Sequence, residues 1–145
     1  MDLLIAYALT FVGKPYIWGD KSPVLGGFDC SGFVCEILKF AGELGPRESL
    51  NSQGLLDRFS PISQHGLLSP GSLAFYGKDV TKIEHVAFMV SPYQILEAAG
   101  GDSSTIDAAT ADARNAMVRG RLLNYRSDFI QTLKPQYLKI GAFKR

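Results

Sequence analysis

Cys30, His85 and Glu97 are the side chains whose types and spacing suit acyl-transfer chemistry. Cys30 lies in Gly26-Gly27-Phe28-Asp29-Cys30-Ser31-Gly32-Phe33-Val34, where a glycine pair leads through an acid into an apolar run. Val34, Ile37, Leu38 and Ala41 recur at helical spacing, so the pattern predicts a helix starting near Asp29 or Cys30. In a first helical turn, unpaired backbone N–H groups and the positive end of the helix dipole favour an anion. A thiolate is such an anion. The position lowers a cysteine pKa and makes the sulfur a nucleophile near neutral pH. The competing reading of Cys30 is a small buried hydrophobe, a frequent fate of unpaired cysteine.

A thiol nucleophile needs a base, and the base needs an orienting partner. Glu84-His85-Val86-Ala87-Phe88-Met89-Val90 reads as a strand with His85 at its entrance, and Gln94-Ile95-Leu96-Glu97-Ala98-Ala99 as its return partner. If Ser91-Pro92-Tyr93 closes the hairpin with a three-residue loop, Val90 faces Gln94 and His85 faces Ala99. His85 and Glu97 then share one side as diagonal neighbours. A four-residue loop sends Glu97 to the opposite side. Asp102 is the alternative third residue. A zinc set of Cys30, His85 and Asp102 has no short-spaced ligand pair to anchor it. The chemistry asks for no metal and no cofactor. His65 lies in a loop without acid or strand context and is left outside the site.

The elements that must carry these residues follow from periodicity and turn signals. Residues 2–12 read as an opening helix stopped at Gly13, and residues 16–20 as a short extended segment. The Cys30 helix runs to about Phe40 or Ala41 and ends at Gly42. A short helix follows over 49–59, then an irregular stretch over 60–70. Asn51 and Gln53 on that short helix either reach a cleft or are simply solvated. A strand over 72–76 and a polar loop over 78–82 lead to His85. Thr105 or Asp107 caps a helix ending near Asn115. A strand over 117–123, a turn at 128–130 and a closing strand over 137–143 complete the chain. These pieces predict one α+β domain over residues 1–145, with an antiparallel sheet.

Composition excludes several classes. The 145 residues are 46% apolar and 20% charged, as in an ordinary globular domain. A formal net charge of +1 offers no basic footprint for nucleic acid or anionic lipid. No apolar run approaches a membrane-spanning length, and Asp2 stands where a signal peptide carries basic residues. Export would therefore need a phage particle, lysis or a leader outside this sequence. On one helix, Cys30 and Cys35 point about 140° apart, which argues against a bridge between them. Cys35 reads as structural.

With these residues in place, the chain resembles the NlpC/P60 family of papain-like cysteine peptidases. The matching pieces are Tyr16-Ile17-Trp18-Gly19, Asp29-Cys30-Ser31-Gly32-Phe33-Val34, Pro70-Gly71-Ser72-Leu73-Ala74-Phe75-Tyr76 and His85-Val86-Ala87-Phe88-Met89, in family order. The stretches Glu97-Ala98-Ala99-Gly100-Gly101 and Tyr125-Arg126-Ser127-Asp128 look like its phage- and prophage-associated branch. The resemblance implies N-terminal helices packed on a central antiparallel sheet. It further implies hydrolysis of amide bonds in the stem peptide of bacterial peptidoglycan, commonly after D-γ-glutamate, through a thioester. Cys30 is then nucleophile, His85 base and acid, and Glu97 the third polar residue, where the family more often has His, Asn or Gln. Tyr16, Asp29 and Ser31 are placed at the oxyanion or substrate, while Trp18 looks structural. The expected partner is the stem peptide, acted on by a monomer or small homo-oligomer, free or in a phage particle. The alternatives are an amidase or acyltransferase of the same fold, or a phage tail or lysis component with incidental or no hydrolase activity.

Overall fold

A computed structural model describes residues 1–19, 21–22, 27–101 and 104–137. The chain opens with α1 (Asp2–Leu9), followed by two short paired strands, β1 (Lys21–Ser22) and β2 (Gly27–Phe28). Next come α2 (Cys30–Phe40) and α3 (Ser52–Phe59), a 3-10 turn at Ser60–Ile62 and β3 (Gln64–His65). The strands β4 (Leu73–Gly77), β5 (Ile83–Met89) and β6 (Gln94–Ala99) follow, then α4 (Ala108–Ala113). β7 (Met117–Leu122), a 3-10 turn at Leu123–Tyr125 and β8 (Phe129–Lys134) end the described elements. The sheet order is β3-β8-β4-β5-β6-β7, and every pairing is antiparallel. The architecture is α+β, as the motif spacing predicts.

α2 is the central helix. Asp29 caps its N-terminus by accepting from Gly32 N at 2.6 Å. At the other end Gly42 turns the chain at φ 77°, where Glu43 N and Leu44 N both donate to Leu38 O. Phe33, Val34, Cys35, Ile37 and Leu38 are all fully buried, so the helix is covered on more than one side. α1 supplies Leu4 and Ala8 against it, and Phe11, Phe28 and Phe33 meet edge to face at 5.1–6.4 Å. The sheet adds Phe75, Val86, Phe88 and Leu96 to the same core. Residues of opposite parity (Ala74, Tyr76, Ala87, Met89 and Ile95) form a second, smaller cluster.

The hairpin register follows the three-residue loop. Phe88 faces Leu96, Met89 faces Ile95, and Val90 N donates to Gln94 O at 3.0 Å. His85 and Glu97 thus fall on one side, with the parity of Met89 and Ile95.

Two expectations are corrected, and a third falls mostly outside the described residues. The turn expected over 128–130 ends at Asp128: Phe129 opens β8, which lies between β3 and β4 and buries Thr132 and Leu133. Its local pattern is weak, and pairing with β4 overrides it. The stretch over 60–70 contains β3 as well as the 3-10 turn, and there His65 Nε2 bonds Ser60 O at 2.7 Å. The closing strand over 137–143 lies outside the described residues except for Tyr137. That residue takes φ 51°, and its hydroxyl donates to Gly71 O at 2.6 Å.

Candidate active site

Cys30 is the first residue of α2, placed there by the Asp29 cap, and as a residue it is half-buried, bordering the cleft. The Sγ lies 3.5 Å from Ser52 Oγ at the first turn of α3 and close enough to His85 for that ring to act on its pKa. Burial pushes the thiol pKa up. The hydrogen bond to His85, the charge of that ring and the Ser52 contact outweigh it, so the pKa falls below the ordinary thiol value. Cys35 differs completely. It is fully buried, and its Sγ donates to Leu50 O at 3.3 Å.

His85 is buried on β5 and turns Nε2 to Glu97 Oε1 at 2.7 Å, leaving Nδ1 for the sulfur. Burial alone would lower its pKa, but bonds to Cys30 and Glu97 and their charges raise it to about 9. Glu97 is wholly buried on β6. Burial pushes its carboxyl up, yet His85, Tyr125 and Arg121 together hold it below the ordinary carboxylate range. Its Oε1 also accepts from the Tyr125 hydroxyl at 2.7 Å, while Oε2 lies 4.0 Å from Arg121 Nε. The result is a row in which a ring of raised pKa stands between a thiol and a carboxyl of lowered pKa, each favouring the charged form of its neighbour.

Two cavities meet at Cys30. The larger, 630 Å³, adds His85, Tyr125, Arg119 and Arg126. The smaller, 320 Å³, adds Asp29, Ser31 and the α3 N-terminus at Asn51, Ser52 and Gln53. Tyr16 and Trp18 border both. The expectation that Trp18 is structural gives way, because its side chain is 54% exposed at the cleft while only its amide is tied, to Thr105 O. Tyr16 is buried, and Gly101 passes so close that an added Cβ would overlap the ring.

Asp29 and Ser31 border the smaller cavity, but their side chains are engaged elsewhere. The Asp29 carboxylate accepts from Gly32 N, Ser31 Oγ and Gly19 N. Asp29 thus builds the helix start as well as bordering the cavity. Asn51 caps α3, and Gln53 links α3 to Val80 O and Ile83 N, so both have structural bonds. Asp102 lies outside the described residues. Ser52, Tyr125, Arg121 and Arg119 enter the site without a role expected from the sequence, although Tyr125 lies in one of the resembling stretches. The last three depend on the β6–β7 register and on the 3-10 turn after it, neither of which local pattern specifies. Among the described residues, no group of three or more His, Cys, Asp or Glu side chains is placed to hold a metal ion.

Comparison with known proteins places this geometry in context. Residues 13–126 match the NlpC/P60 family. A gamma-D-glutamyl-L-lysine dipeptidyl-peptidase of Bacillus cereus is 32% identical over 111 residues, covering 71% of this chain and 30% of the relative. A probable endopeptidase of Mycobacterium tuberculosis is 40% identical over 73 residues, covering 50% of this chain and 18% of the relative. The chain therefore spans less than a third of the length of these curated relatives. The crystal structure of an NlpC/P60 family protein from Bacillus cereus superposes with a TM-score of 0.66 at 25% identity, covering 94% of this chain and 40% of that one. RipD of Mycobacterium tuberculosis, described as a non-catalytic NlpC/p60 domain protein adapted to peptidoglycan binding, has a TM-score of 0.62 at 20% identity, with 93% and 95% covered. The shared fold thus accommodates both catalysts and binders.

Proposed function

Because the chain belongs to the NlpC/P60 family, we propose that it is a cysteine peptidase of the bacterial cell wall. It cuts the peptidoglycan stem peptide at the amide after a D-γ-glutamyl residue. The observation that carries this reading is the Cys30–His85–Glu97 row: a thiol of lowered pKa that lines one cavity with a histidine whose Nε2 is 2.7 Å from a buried carboxylate. A wall-binding module has no use for such a row, since burying a charged relay without a reacting partner is costly. The names of the Bacillus relatives support the γ-glutamyl assignment.

The reaction divides into two acyl transfers. The Cys30 thiolate attacks the scissile carbonyl carbon, forming a C–S bond while the carbonyl π pair moves to oxygen. The backbone N–H of Cys30 and the Tyr16 hydroxyl donate to that oxyanion. Collapse breaks the C–N bond, and the leaving amine takes the proton from His85 Nδ1. Water then gives a proton to Nδ1 as its oxygen attacks the thioester. Breaking the C–S bond releases the γ-glutamyl acid and restores the thiolate–imidazolium pair. Glu97 keeps the Nε2 proton in place and stabilises the charged ring throughout.

Mass analysis of peptidoglycan fragments after digestion tests the proposal, with Cys30→Ala as control. Cleavage after the γ-glutamyl residue, absent in the variant, is expected. Release of sugar fragments alone, or of intact stem peptides, would mark a glycosidase or an amidase instead. Added amine trapped as a γ-glutamyl amide would mark transfer rather than hydrolysis.

A further inference from the structure

Arg119 is a charged side chain at the cleft that neither the fold nor the catalytic row accounts for. It stands opposite Glu97 in the β6–β7 register and borders the larger cavity beside Cys30 and His85. Among the described residues its one hydrogen bond runs from a terminal nitrogen to Asn115 O at 3.2 Å, and its Nε is buried with no partner. Among the described residues it pairs with no carboxylate, whereas Arg126, in the same cavity, is held bidentately by Asp128 at 2.8 Å. The far side of the guanidinium lies against Gly100, where an added Cβ would come within 3.3 Å of it. A planar fork with a desolvated, unused N–H suits a carboxylate.

The chemistry says which part of the substrate meets this group. His85 must protonate the departing nitrogen, so the leaving amine lies on the His85 side of the sulfur. His85 borders only the larger cavity, while Ser31 and Ser52 border only the smaller. The amine half of the substrate therefore enters the cavity that holds Arg119. Exposed Glu84 borders both cavities and can face an ammonium on the same residue.

We infer that Arg119 selects a leaving diamino acid carrying a carboxylate on its side chain, over one ending in an ammonium alone. This rests on the peptidase reading above. A single charge-assisted bond of this kind corresponds to about a tenfold or greater preference in kcat/KM.

The probes are L-alanyl-γ-D-glutamyl peptides ending in meso-diaminopimelate or in L-lysine, each with the main-chain carboxyl amidated. A third, the L-lysine peptide with a free main-chain carboxylate, separates the two possible sources of negative charge. Wild type should favour the diaminopimelate peptide about tenfold or more. Arg119→Gln should bring the ratio to within about threefold, and Arg119→Lys should fall between, because it keeps the charge and loses the fork. Equal rates in wild type, or an equal loss on both amidated peptides in Arg119→Gln, overturn the inference. So does a free-carboxylate lysine peptide that matches diaminopimelate. Calorimetry with Cys30→Ala separates the two failures. Arg119-dependent binding of the diaminopimelate peptide without turnover in wild type would sink the peptidase reading alone. Turnover without preference would sink the inference alone. If Arg119→Gln does not fold, the wild-type ratio and Arg119→Lys still decide.

Discussion

Glu97 is the residue whose charge sets the working range of the site. Its bond and its charge both help raise His85 to about 9. Below that value the ring is protonated; as pH rises through about 9 it loses its proton and the sulfur loses its imidazolium partner. The profile of kcat/KM should therefore hold through neutrality and fall near pH 9. Glu97→Gln removes the charge and keeps a partner for Nε2, so the alkaline limb should move to lower pH, with a smaller rate loss than His85→Ala. Glu97→Ala should be worse than Glu97→Gln. An unmoved alkaline limb in Glu97→Gln would mean the carboxylate does not reach the ring. Labelling separates the two thiols. At about pH 6.5, where ordinary thiols with pKa of about 8.5 react slowly, iodoacetamide should modify Cys30 and spare Cys35. Equal labelling would remove the case for an activated sulfur. Cys30, His85 and Glu97 were readable in the sequence because each sits in a segment whose pattern is local. Tyr125 and Arg121 were not, since they reach Glu97 from a 3-10 turn and from the next strand.

At the level of elements, α2 performs two tasks that pull against each other at Asp29. Its carboxylate caps the helix, yet its charge raises the pKa of the neighbouring thiol. Asp29→Ala should cost about 1 kcal/mol of stability through the lost cap, read as a lower denaturant midpoint. Asp29→Asn keeps a capping oxygen and removes the charge, so Cys30 should label faster at low pH than in wild type. Slower labelling in Asp29→Asn would show that the cap geometry, and not the charge, governs the sulfur. The β5–β6 hairpin shows what local pattern can carry. A three-residue loop fixes register, register fixes parity, and parity puts Glu97 on the side of His85. β8 shows the limit, because its place between β3 and β4 is decided by long-range pairing. The short β3 strand is created by that same partner.

On the scale of the molecule, the N-terminal segment is stitched along the outer edge of β7, and this brings Tyr16 and Trp18 over the cleft. Gly13 N donates to Val118 O, Val118 N to Lys14 O, and Tyr16 N to Ala116 O, at 2.8–3.0 Å. Trp18 N reaches Thr105 O at 2.7 Å. These bonds cover what would otherwise be an open sheet edge, and they tie the start of the chain to the half that supplies Arg119 and Tyr125. Gly101 is where that closure touches the site, since a side chain there would overlap the Tyr16 ring. Gly101→Ala should therefore displace the ring and lower kcat/KM about a hundredfold or more, the scale of losing one oxyanion donor. Iodoacetamide labelling of Cys30 and the thermal midpoint should change little, because the Cys30–His85–Glu97 row is held by α2, β5 and β6. Tyr16→Phe keeps the ring and removes the hydroxyl. If the hydroxyl is the working group, Tyr16→Phe should lose about as much rate as Gly101→Ala, and the double variant should lose no more than either alone. Full activity in Tyr16→Phe together with a crippled Gly101→Ala would instead assign the effect to the shape of the cleft wall and remove Tyr16 from the oxyanion.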